Sequence, residues 1–410
     1  MNPIRNIIIV NDFNYIQGGA SKVAIETAKR LSKQQIGNIY FFSAVYQEDA
    51  VSEGITYITT NQKEALKDEN RIRGFFNGIY NIKAKREFSK LLDSLNKEET
   101  IIHVHGWTKA LSSSVFHIAF KKGFKVVLTM HDYFTACPNG GYFNYKTNKV
   151  CDYKPMSKAC ISCNCDSRSY VFKLYRILRQ VVQNKIVRVN ENLKYVISIS
   201  DFSEKVLKKT LNQNTQVIRV YNPIDTGKKE TRSKVEQNQI YLYVGRVSKE
   251  KGVDIFCQAV EQLGLKGIVV GDGEQKEILQ KQFKQIEFVG WKDKQEVKQY
   301  MKEAKMLLFP SRWYEAAPLT ILEAMSIGLP CIVSEKCAGI DFIQDKIDGL
   351  VFNGDVEDLK SKIINSQKET ESLSQEAYKH YWQNYDNKEV YEEKILKAYQ
   401  IIMQNGKDEN

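Results

Sequence analysis

The sequence Tyr241-Leu242-Tyr243-Val244-Gly245-Arg246-Val247-Ser248-Lys249-Glu250-Lys251-Gly252 joins a short apolar run to a loop that carries cations. The run is typical of a buried strand that ends at Gly245. Arg246 and Lys251 then follow the carboxyl end of that strand, where open parallel sheets bind their ligands. Two cations in this position are suited to a diphosphate. A solvated surface loop is the alternative interpretation of the motif taken alone.

Similar apolar runs recur on both sides of this stretch, separated by longer amphipathic segments. Short runs rich in Ile and Val, alternating with helical patterns, predict βαβ units and parallel sheets. Each half of the 410-residue chain has enough runs for one sheet, so we expect an α/β fold in which two doubly wound, Rossmann-like domains face each other across a cleft. The runs are 7–10, 38–43, 54–58, 100–104, 125–130 and 195–200, then 240–244, 267–270, 286–289, 306–309 and 330–333.

The predicted join between the domains lies at residues 221–225, ahead of a polar tract at 228–239 that we interpret as a linker or exposed loop. We predict an N-terminal, acceptor-binding domain over residues 1–222 and a C-terminal, donor-binding domain over residues 223–386. The apolar segment 391–403 predicts a last helix, about 387–410, that packs back on the N-terminal domain.

Charge is distributed unevenly between the two halves. The chain has 60 Lys and Arg against 49 Asp and Glu, and residues 1–200 hold 29 of the cations and 16 of the acids. A basic first half indicates an anionic partner, either nucleic acid, a membrane surface or a phosphate-bearing acceptor. The sequence has no membrane-spanning apolar run and no secretory signal at its start, so we expect a cytoplasmic protein.

A second motif, LLFPSRWYEAAPLTILEAM, occupies residues 307–325. It predicts a strand to Phe309, a loop, and a helix that begins near Pro318. A helix N-terminus offers free N–H groups and a positive dipole end, which favour phosphate. Glu315 falls in the loop and Glu323 just over one turn inside the helix, where carboxylates can accept hydrogen bonds from sugar hydroxyls. Two ordinary exposed glutamates are the alternative.

Together, the Gly-Arg-x4-Lys-Gly loop at 245–252 and the Glu-x7-Glu element at 315–323 resemble the retaining glycosyltransferases of the two-domain GT-B fold. Among these enzymes, the resemblance is to family 4 of the carbohydrate-enzyme classification. Within that family, it is to the bacterial members of the capsule and O-antigen type. Segments 222–225 and 271–274 lie where that family has similar pieces. The resemblance implies an enzyme of class EC 2.4 that uses a nucleotide-sugar, with a UDP-sugar favoured.

The same resemblance implies roles for individual residues. Arg246 and Lys251 would neutralise the leaving diphosphate, Glu323 would bind the ribose, and Glu315 the donor sugar or its phosphate. Many relatives have glycines after the first glutamate, whereas this chain has Ala316-Ala317-Pro318, which changes the backbone contacts to the phosphate. No metal or other cofactor is expected for catalysis, because protein cations and a helix end can stabilise the leaving group.

Further residues are expected at the same site. In addition to the cations and carboxylates named above, the resemblance assigns four residues to donor binding. They are Gly18, Gly19, Leu319 and Thr320. His131 ends an apolar strand and matches a histidine that relatives carry near the reacting sugar, so we expect it to be catalytic. His105 ends another strand and is a weaker candidate. A structural role is the alternative for either histidine.

Five of the eight cysteines fall between Cys137 and Cys165. Clustering of this kind in a cytosolic protein favours a metal over disulfides. We therefore predict a structural Zn²⁺ held by four thiolates, with free thiols as the alternative. The predicted ligands are Cys137, Cys151, Cys160 and Cys165.

Two segments, 71–86 and 168–188, mix basic with apolar residues in a pattern typical of amphipathic helices on anionic membranes. Core-facing helices are the alternative. With the basic first half, the pattern predicts peripheral contact with the inner face of the cytoplasmic membrane. Such contact would suit a polyprenyl-diphosphate-linked glycan acceptor.

The function predicted from these observations is transfer of a sugar to a hydroxyl of a growing surface polysaccharide. A nucleotide-sugar epimerase or a sugar phosphorylase on the same fold is the first alternative. A basic nucleic-acid-binding protein is the second, but it leaves the set of Arg246, Lys251, Glu315 and Glu323 without a use.

Overall fold

The fold is known from a computed structural model that describes residues 4–224, 226–385 and 388–405. Asp225 of the predicted join, residues 386–387, and residues 406–410 of the predicted last helix lie outside the described residues. Within the described residues, thirteen strands form two parallel sheets and two form a small hairpin. Helices cover the faces of both sheets, so the predicted α/β architecture is confirmed.

The first sheet has seven strands in the order β3-β2-β1-β4-β5-β8-β9, all parallel. Its β1 is buried along its whole length, as expected for a parallel strand covered on both faces. The strands are β1 (Asn6–Val10), β2 (Asn38–Ser43), β3 (Ile55–Thr59), β4 (Thr100–Val104), β5 (Lys125–Thr129), β8 (Tyr195–Ser198) and β9 (Gln216–Arg219), and the hairpin is β6 (Phe143–Asn144) with β7 (Lys149–Val150).

In the described residues of the first half, eight helices accompany this sheet. They are α1 (Gly19–Lys33), α2 (Arg71–Ile79), α3 (Ile82–Asp93), α4 (Ser114–Lys121), α5 (Lys158–Ser162), α6 (Tyr170–Val181), α7 (Val189–Asn192) and α8 (Asp201–Lys208), with a π-helix at Val182–Val187. The hairpin, α5 and α6 belong to a long insertion between β5 and β8. The two basic amphipathic segments become α2 with α3, and α6 with the π-helix.

The second sheet has six strands in the order β12-β11-β10-β13-β14-β15. In both sheets the first strand lies beside the fourth, so the chain reverses direction across the sheet at that pair and leaves a crevice there. The strands are β10 (Ile240–Val244), β11 (Lys266–Val270), β12 (Ile286–Gly290), β13 (Ala304–Phe309), β14 (Cys331–Ser334) and β15 (Gly349–Phe352).

Helices of the second half complete the fold. They are α9 (Val253–Gln262), α10 (Lys276–Gln282), α11 (Lys294–Glu303), α12 (Leu319–Ser326), α13 (Val356–Ser366), α14 (Thr370–Asn384) and α15 (Lys388–Asn405). Helix α15 packs on the first sheet and α1 through Tyr391, Ile395 and Tyr399. Among the described helices, none combines the length and apolar character that a membrane crossing requires.

The polar tract 228–239 was predicted as a linker or exposed loop, and most of its residues are exposed, including 228–231. Its Val235 is fully buried in the core of the second sheet. Glu230 forms ion pairs with Lys298 and Lys302 on α11. These contacts anchor the tract along the second half, since burial of an apolar side chain such as that of Val235 is favourable.

Candidate functional site

The two sequence motifs lie side by side at the crevice of the second sheet. Strands β10 and β13 are hydrogen-bonded neighbours, so the loops after Val244 and Phe309 leave the same edge of the sheet. Gly252 begins α9 in a left-handed conformation, with φ of 67°. A Cβ added there would lie 2.0 Å from the carbonyl oxygen of Pro310, so only glycine permits this approach of the two loops.

An ion pair joins the same loops at their tips. The Lys251 ammonium pairs with the Glu315 carboxylate, which also accepts a hydrogen bond of 3.0 Å from the Trp313 indole. Arg312 forms a bidentate pair with Asp254 at 2.5 and 2.6 Å, which fastens the second loop to the start of α9. The cation and the carboxylate predicted from separate motifs thus occupy one rigid junction.

A pocket of about 400 Å³ opens beside this junction and is bounded by both halves of the chain. It includes the start of α12 and, on the first half, the start of α1. The free N–H groups of α12 border it, which favours a phosphate. Among its lining residues are Gly19, Lys22, Asn222, Gly245, Lys251, Glu315, Leu319, Thr320 and Glu323.

The remaining predicted donor residues are placed differently. Arg246 follows Gly245 but its side chain is 56% exposed and pairs with the buried carboxylate of Glu250, which also accepts a hydrogen bond from Ser248. Its guanidinium therefore flanks the pocket rather than lining it. Gly18 is exposed and precedes Gly19, the residue that opens α1.

A second pocket of about 250 Å³ continues from the first, since Gly19, Asn222, Lys251 and Glu315 border both. Its other lining residues include His131, Asp132, Tyr133, Trp313 and Tyr314. It is the size of a sugar ring with its hydroxyl groups rather than of a nucleotide. The two pockets together offer a large and a small compartment with the Lys251–Glu315 pair between them.

His131 borders the small pocket as an uncharged side chain. Burial lowers its pKa to about 3, and its Nε2 lies 2.9 Å from Nδ1 of His105. His105 is also buried, and burial places its pKa well below the usual value. A neutral imidazole can donate or accept one hydrogen bond to a sugar hydroxyl, but it carries no charge at neutral pH.

Three residues that sequence reasoning did not select also face the small pocket. Burial raises the pKa of Asp132 to about 6. The hydroxyl of Tyr133 and the amide oxygen of Asn222 are buried without a hydrogen-bond partner among the described residues. Buried polar atoms of this kind usually have partners, and a bound sugar would supply them. The position of Asp132 directly after His131 was the available signal.

The predicted zinc site is not borne out. Among the described residues, no three His, Cys, Asp or Glu side chains are grouped so that they could hold a metal ion. The ammonium of buried Lys173 instead lies 3.1 Å from the sulfur of Cys165 and 3.7 Å from that of Cys160. Burial raises the pKa of Cys137, and that of Cys151 to about 11, which disfavours thiolate ligands. These cysteines are free thiols, which was the alternative to a zinc site.

Residues 238–368, which hold both motifs, match the family described as glycosyl transferases group 1. This match assigns residues 238–368 to that family, and the two doubly wound sheets give the chain the GT-B architecture. The predicted fold and the predicted enzyme class are therefore confirmed. HepE of Anabaena, solved with UDP and glucose, superposes with a TM-score of 0.66 over 97% of this chain and 99% of its own, at 16% sequence identity.

Two relatives have names that refer to a cps region and to sugar transfer onto a diphosphoundecaprenol-linked sugar. A 41.2 kDa protein of the cps region of Klebsiella pneumoniae is 23% identical over 235 residues, which are 55% of this chain and 65% of that protein. The UDP-Gal:alpha-D-GlcNAc-diphosphoundecaprenol alpha-1,3-galactosyltransferase of Escherichia coli is 29% identical over 126 residues, 27% of this chain and 32% of that enzyme. The chain spans less than two thirds of the length of these relatives.

Proposed function

We propose that the protein is a retaining, family 4 glycosyltransferase that moves a sugar from a UDP-sugar to a hydroxyl of a lipid-linked surface glycan. The observation that carries this proposal is the pair of joined pockets with Lys251 and Glu315 at their junction. A UDP-sugar has the matching shape, with a nucleoside, a diphosphate and a sugar in a row. HepE, which shares the fold, binds UDP and glucose.

In this proposal the large pocket holds the nucleotide diphosphate. Lys251 and the N-terminus of α12 neutralise the charge that develops on the leaving group, which is the stage at which fixed dipoles and cations accelerate a reaction most. Glu323 accepts hydrogen bonds from the ribose. Arg246 flanks the large pocket, and its guanidinium, paired with Glu250, adds positive charge beside the diphosphate. Gly18 and Gly19 bring the backbone before α1 close to the donor.

The small pocket holds the transferred sugar. The hydroxyl groups of the sugar would satisfy Tyr133 and Asn222, and the neutral His131 would orient one of them. Glu315 is already engaged by Lys251 and Trp313, so it is better suited to holding the sugar than to attacking it. Retention then follows from attack by the acceptor on the face that the diphosphate leaves, assisted by the leaving phosphate.

We also propose contact with an anionic membrane through α2 and α6, at the cytoplasmic face. Helix α6 turns Lys173 and Arg179 into the protein, whereas Val171 and Leu174 are 74% and 46% exposed. Ring contact between Phe75 and Tyr175 places α2 alongside, where further apolar side chains are exposed. Exposed cations border this apolar face, as is typical of helices at a lipid surface. They include Arg71, Arg73 and Arg168.

Centrifugation with lipid vesicles tests the membrane contact. The protein should sediment with phosphatidylglycerol vesicles at low salt, and Ile72→Glu with Val171→Glu should abolish this. Ile364→Glu, at a position of the second half that is 53% exposed, is the matched control. Sedimentation that is equal in all three proteins would refute the proposal.

The domain boundaries at residues 1–222 and 223–386, with α15 returning to the first domain, are also our proposal. The packing of α15 on α1 supports it.

Product analysis with lipid-linked oligosaccharide acceptors tests the function. UDP should be released only when an acceptor is present, and NMR of the product should show an anomeric centre of unchanged configuration. Release of an epimerised donor without acceptor would favour the epimerase, and release of a sugar phosphate would favour the phosphorylase.

A further inference from the structure

A third cavity, larger than the two pockets of the cleft, has no role in the proposed donor site. Its volume is about 930 Å³, within the range of pockets that hold ligands. Residues of the insertion after β5 line it together with α8 and part of the second half. Tyr314 borders both this cavity and the small pocket, so the two spaces are adjacent.

The charge of the lining is predominantly positive. Lys154, Lys205, Lys209 and Lys336 border the cavity with two acids, Asp152 and Glu335. Lys336 pairs with Glu335, whereas no ion pair holds the other three lysines within the described part of the chain. Lys205 and Lys209 stand four residues apart on α8 and its C-terminal end, hence on one helix face. An anionic ligand would meet several unpaired ammonium groups here.

The floor of the cavity has polar atoms without partners. The hydroxyl of Thr135 and the amide oxygen of Asn190 are buried, and neither has a hydrogen-bond partner among the described residues. The amide nitrogen of Asn190 is already used, because it donates to the carbonyl oxygens of Thr135 at 2.8 Å and Thr210 at 3.2 Å. A ligand with hydroxyl groups would supply a hydrogen-bond partner to each of these two oxygen atoms.

Aromatic rings line the side of the cavity nearest the small pocket. Tyr314 contacts Phe202 and Tyr142, with ring centroids 5.3 and 6.0 Å apart, and half-exposed Tyr153 lies on the insertion side. Such rings offer apolar faces with polar edges, which suit the C–H faces of sugars. The cavity therefore combines cations, polar atoms without hydrogen-bond partners and aromatic faces. This combination suits a carbohydrate that bears negative charge.

We infer that this cavity binds an acidic glycan, namely the part of the acceptor that carries carboxylates or phosphate esters. The inference rests on the proposed transferase function, because adjacency to the small pocket is what makes the ligand an acceptor. The lining from both halves of the chain would let the acceptor hydroxyl reach Tyr314 while the acidic residues of the glycan stay on the lysines.

Binding measurements on the full chain test the inference. The probes are tetragalacturonate, which carries carboxylates, mannose 6-phosphate, which carries a phosphate ester, and neutral maltotetraose. We expect an acidic probe to bind, and its affinity to fall as salt rises. In the variant Lys205→Glu with Lys209→Glu it should bind at least ~10-fold more weakly, since two attractive charges become repulsive.

The control is Lys281→Glu with Lys284→Glu, which makes the same charge change at exposed positions of the second half. Exposed substitutions of this kind leave folding nearly unchanged. Equal binding of the acidic probe in both double variants would overturn the inference, as would equal binding of maltotetraose, absence of binding by both acidic probes, or stronger binding of a generic oligonucleotide. The affinity for UDP should be the same in the wild-type protein and in both double variants. If the wild-type protein did not bind UDP, that result would count against the donor site alone.

Discussion

The Lys251 ammonium and the Glu315 carboxylate form an ion pair that bridges two loops separated by more than sixty residues of sequence. The Glu315 side chain is 10% exposed and that of Lys251 is 19% exposed. Each charge therefore depends on the other for compensation. A diphosphate arriving between them would share the ammonium, and Glu315 would become available to the sugar.

Lys251→Met should reduce transfer strongly, because it removes the buried cation that faces the leaving group and leaves Glu315 uncompensated. We expect kcat/KM to fall at least ~100-fold, the size typical of losing one group that stabilises transition-state charge. Steady-state kinetics of UDP release measure this. Lys281→Met, on the exposed face of α10, should keep its activity. Wild-type kinetics in Lys251→Met would exclude a role for this cation.

Glu323→Gln should weaken donor recognition without altering the chemical step. The residue lines the large pocket one turn inside α12, away from the small pocket. Loss of a charged hydrogen bond costs about 1.5–3 kcal/mol, which is a ~10- to 100-fold rise in the KM for the donor. The kcat at saturating donor should remain within ~3-fold of wild type. A collapse of kcat with unchanged KM would assign Glu323 to the reacting centre instead.

Gly252→Ala should destabilise the protein more than Gly264→Ala. Both glycines have nearly the same left-handed backbone, with φ of 67° and 64°, so the conformational strain of a Cβ is matched. The added Cβ would clash with the Pro310 carbonyl at the first position but meet open space at the second. We expect a difference of about 2 kcal/mol in the free energy of unfolding. Equal urea midpoints for the two variants would show that the loops do not rely on this contact.

The buried His103 should make stability fall at acid pH. Its ring bonds to Tyr399 at 2.7 Å and Thr129 at 2.6 Å, and burial lowers its pKa to about 3. The unfolded state, with a pKa near 6.5, binds a proton between these values while the folded state does not. Stability is therefore retained above pH ~6.5 and lost as the pH falls. His103 contributes about 2 kcal/mol of loss between pH 7 and pH 5.

The substitution His103→Gln should reduce the loss of stability between pH 7 and pH 5 by about 2 kcal/mol. Urea unfolding at both pH values measures the change, and the slope with pH is compared rather than the absolute stability. His117→Gln, at a less buried histidine, is the control. An unchanged slope in His103→Gln would show that this histidine is charged in the folded state.

The sequence predicted the two sheets because Ile- and Val-rich runs such as 7–10 and 240–244 are strong, local signals. It did not predict β9 and β15, because their apolar runs, of two and three residues, are too short to be distinguished from loop segments without the neighbouring strand. At the site, Lys251, Glu315 and Glu323 follow from motifs on loops and a helix start. Asn222 and Tyr133 could not be found in this way, since their importance lies in unpaired atoms that only packing reveals.

Contacts between residues far apart in sequence also explain why the predictions for the cysteines and for helix α6 differ from the structure. Zinc was predicted because the cysteines cluster in sequence, but the ammonium of Lys173 on α6 supplies the positive charge next to Cys160 and Cys165. That lysine was expected on a solvated or membrane face. A helical pattern indicates which residues share a face but does not say whether the cations or the apolar side chains turn inward.

Titration calorimetry with UDP tests the central claim, that the joined pockets at Lys251 and Glu315 form the donor site. We predict one UDP site in the wild-type protein, with affinity at least ~10-fold lower in both Lys251→Met and Glu323→Gln and unchanged in Lys281→Met. Equal UDP affinity in all four proteins, or no UDP binding by the wild type, would contradict the account.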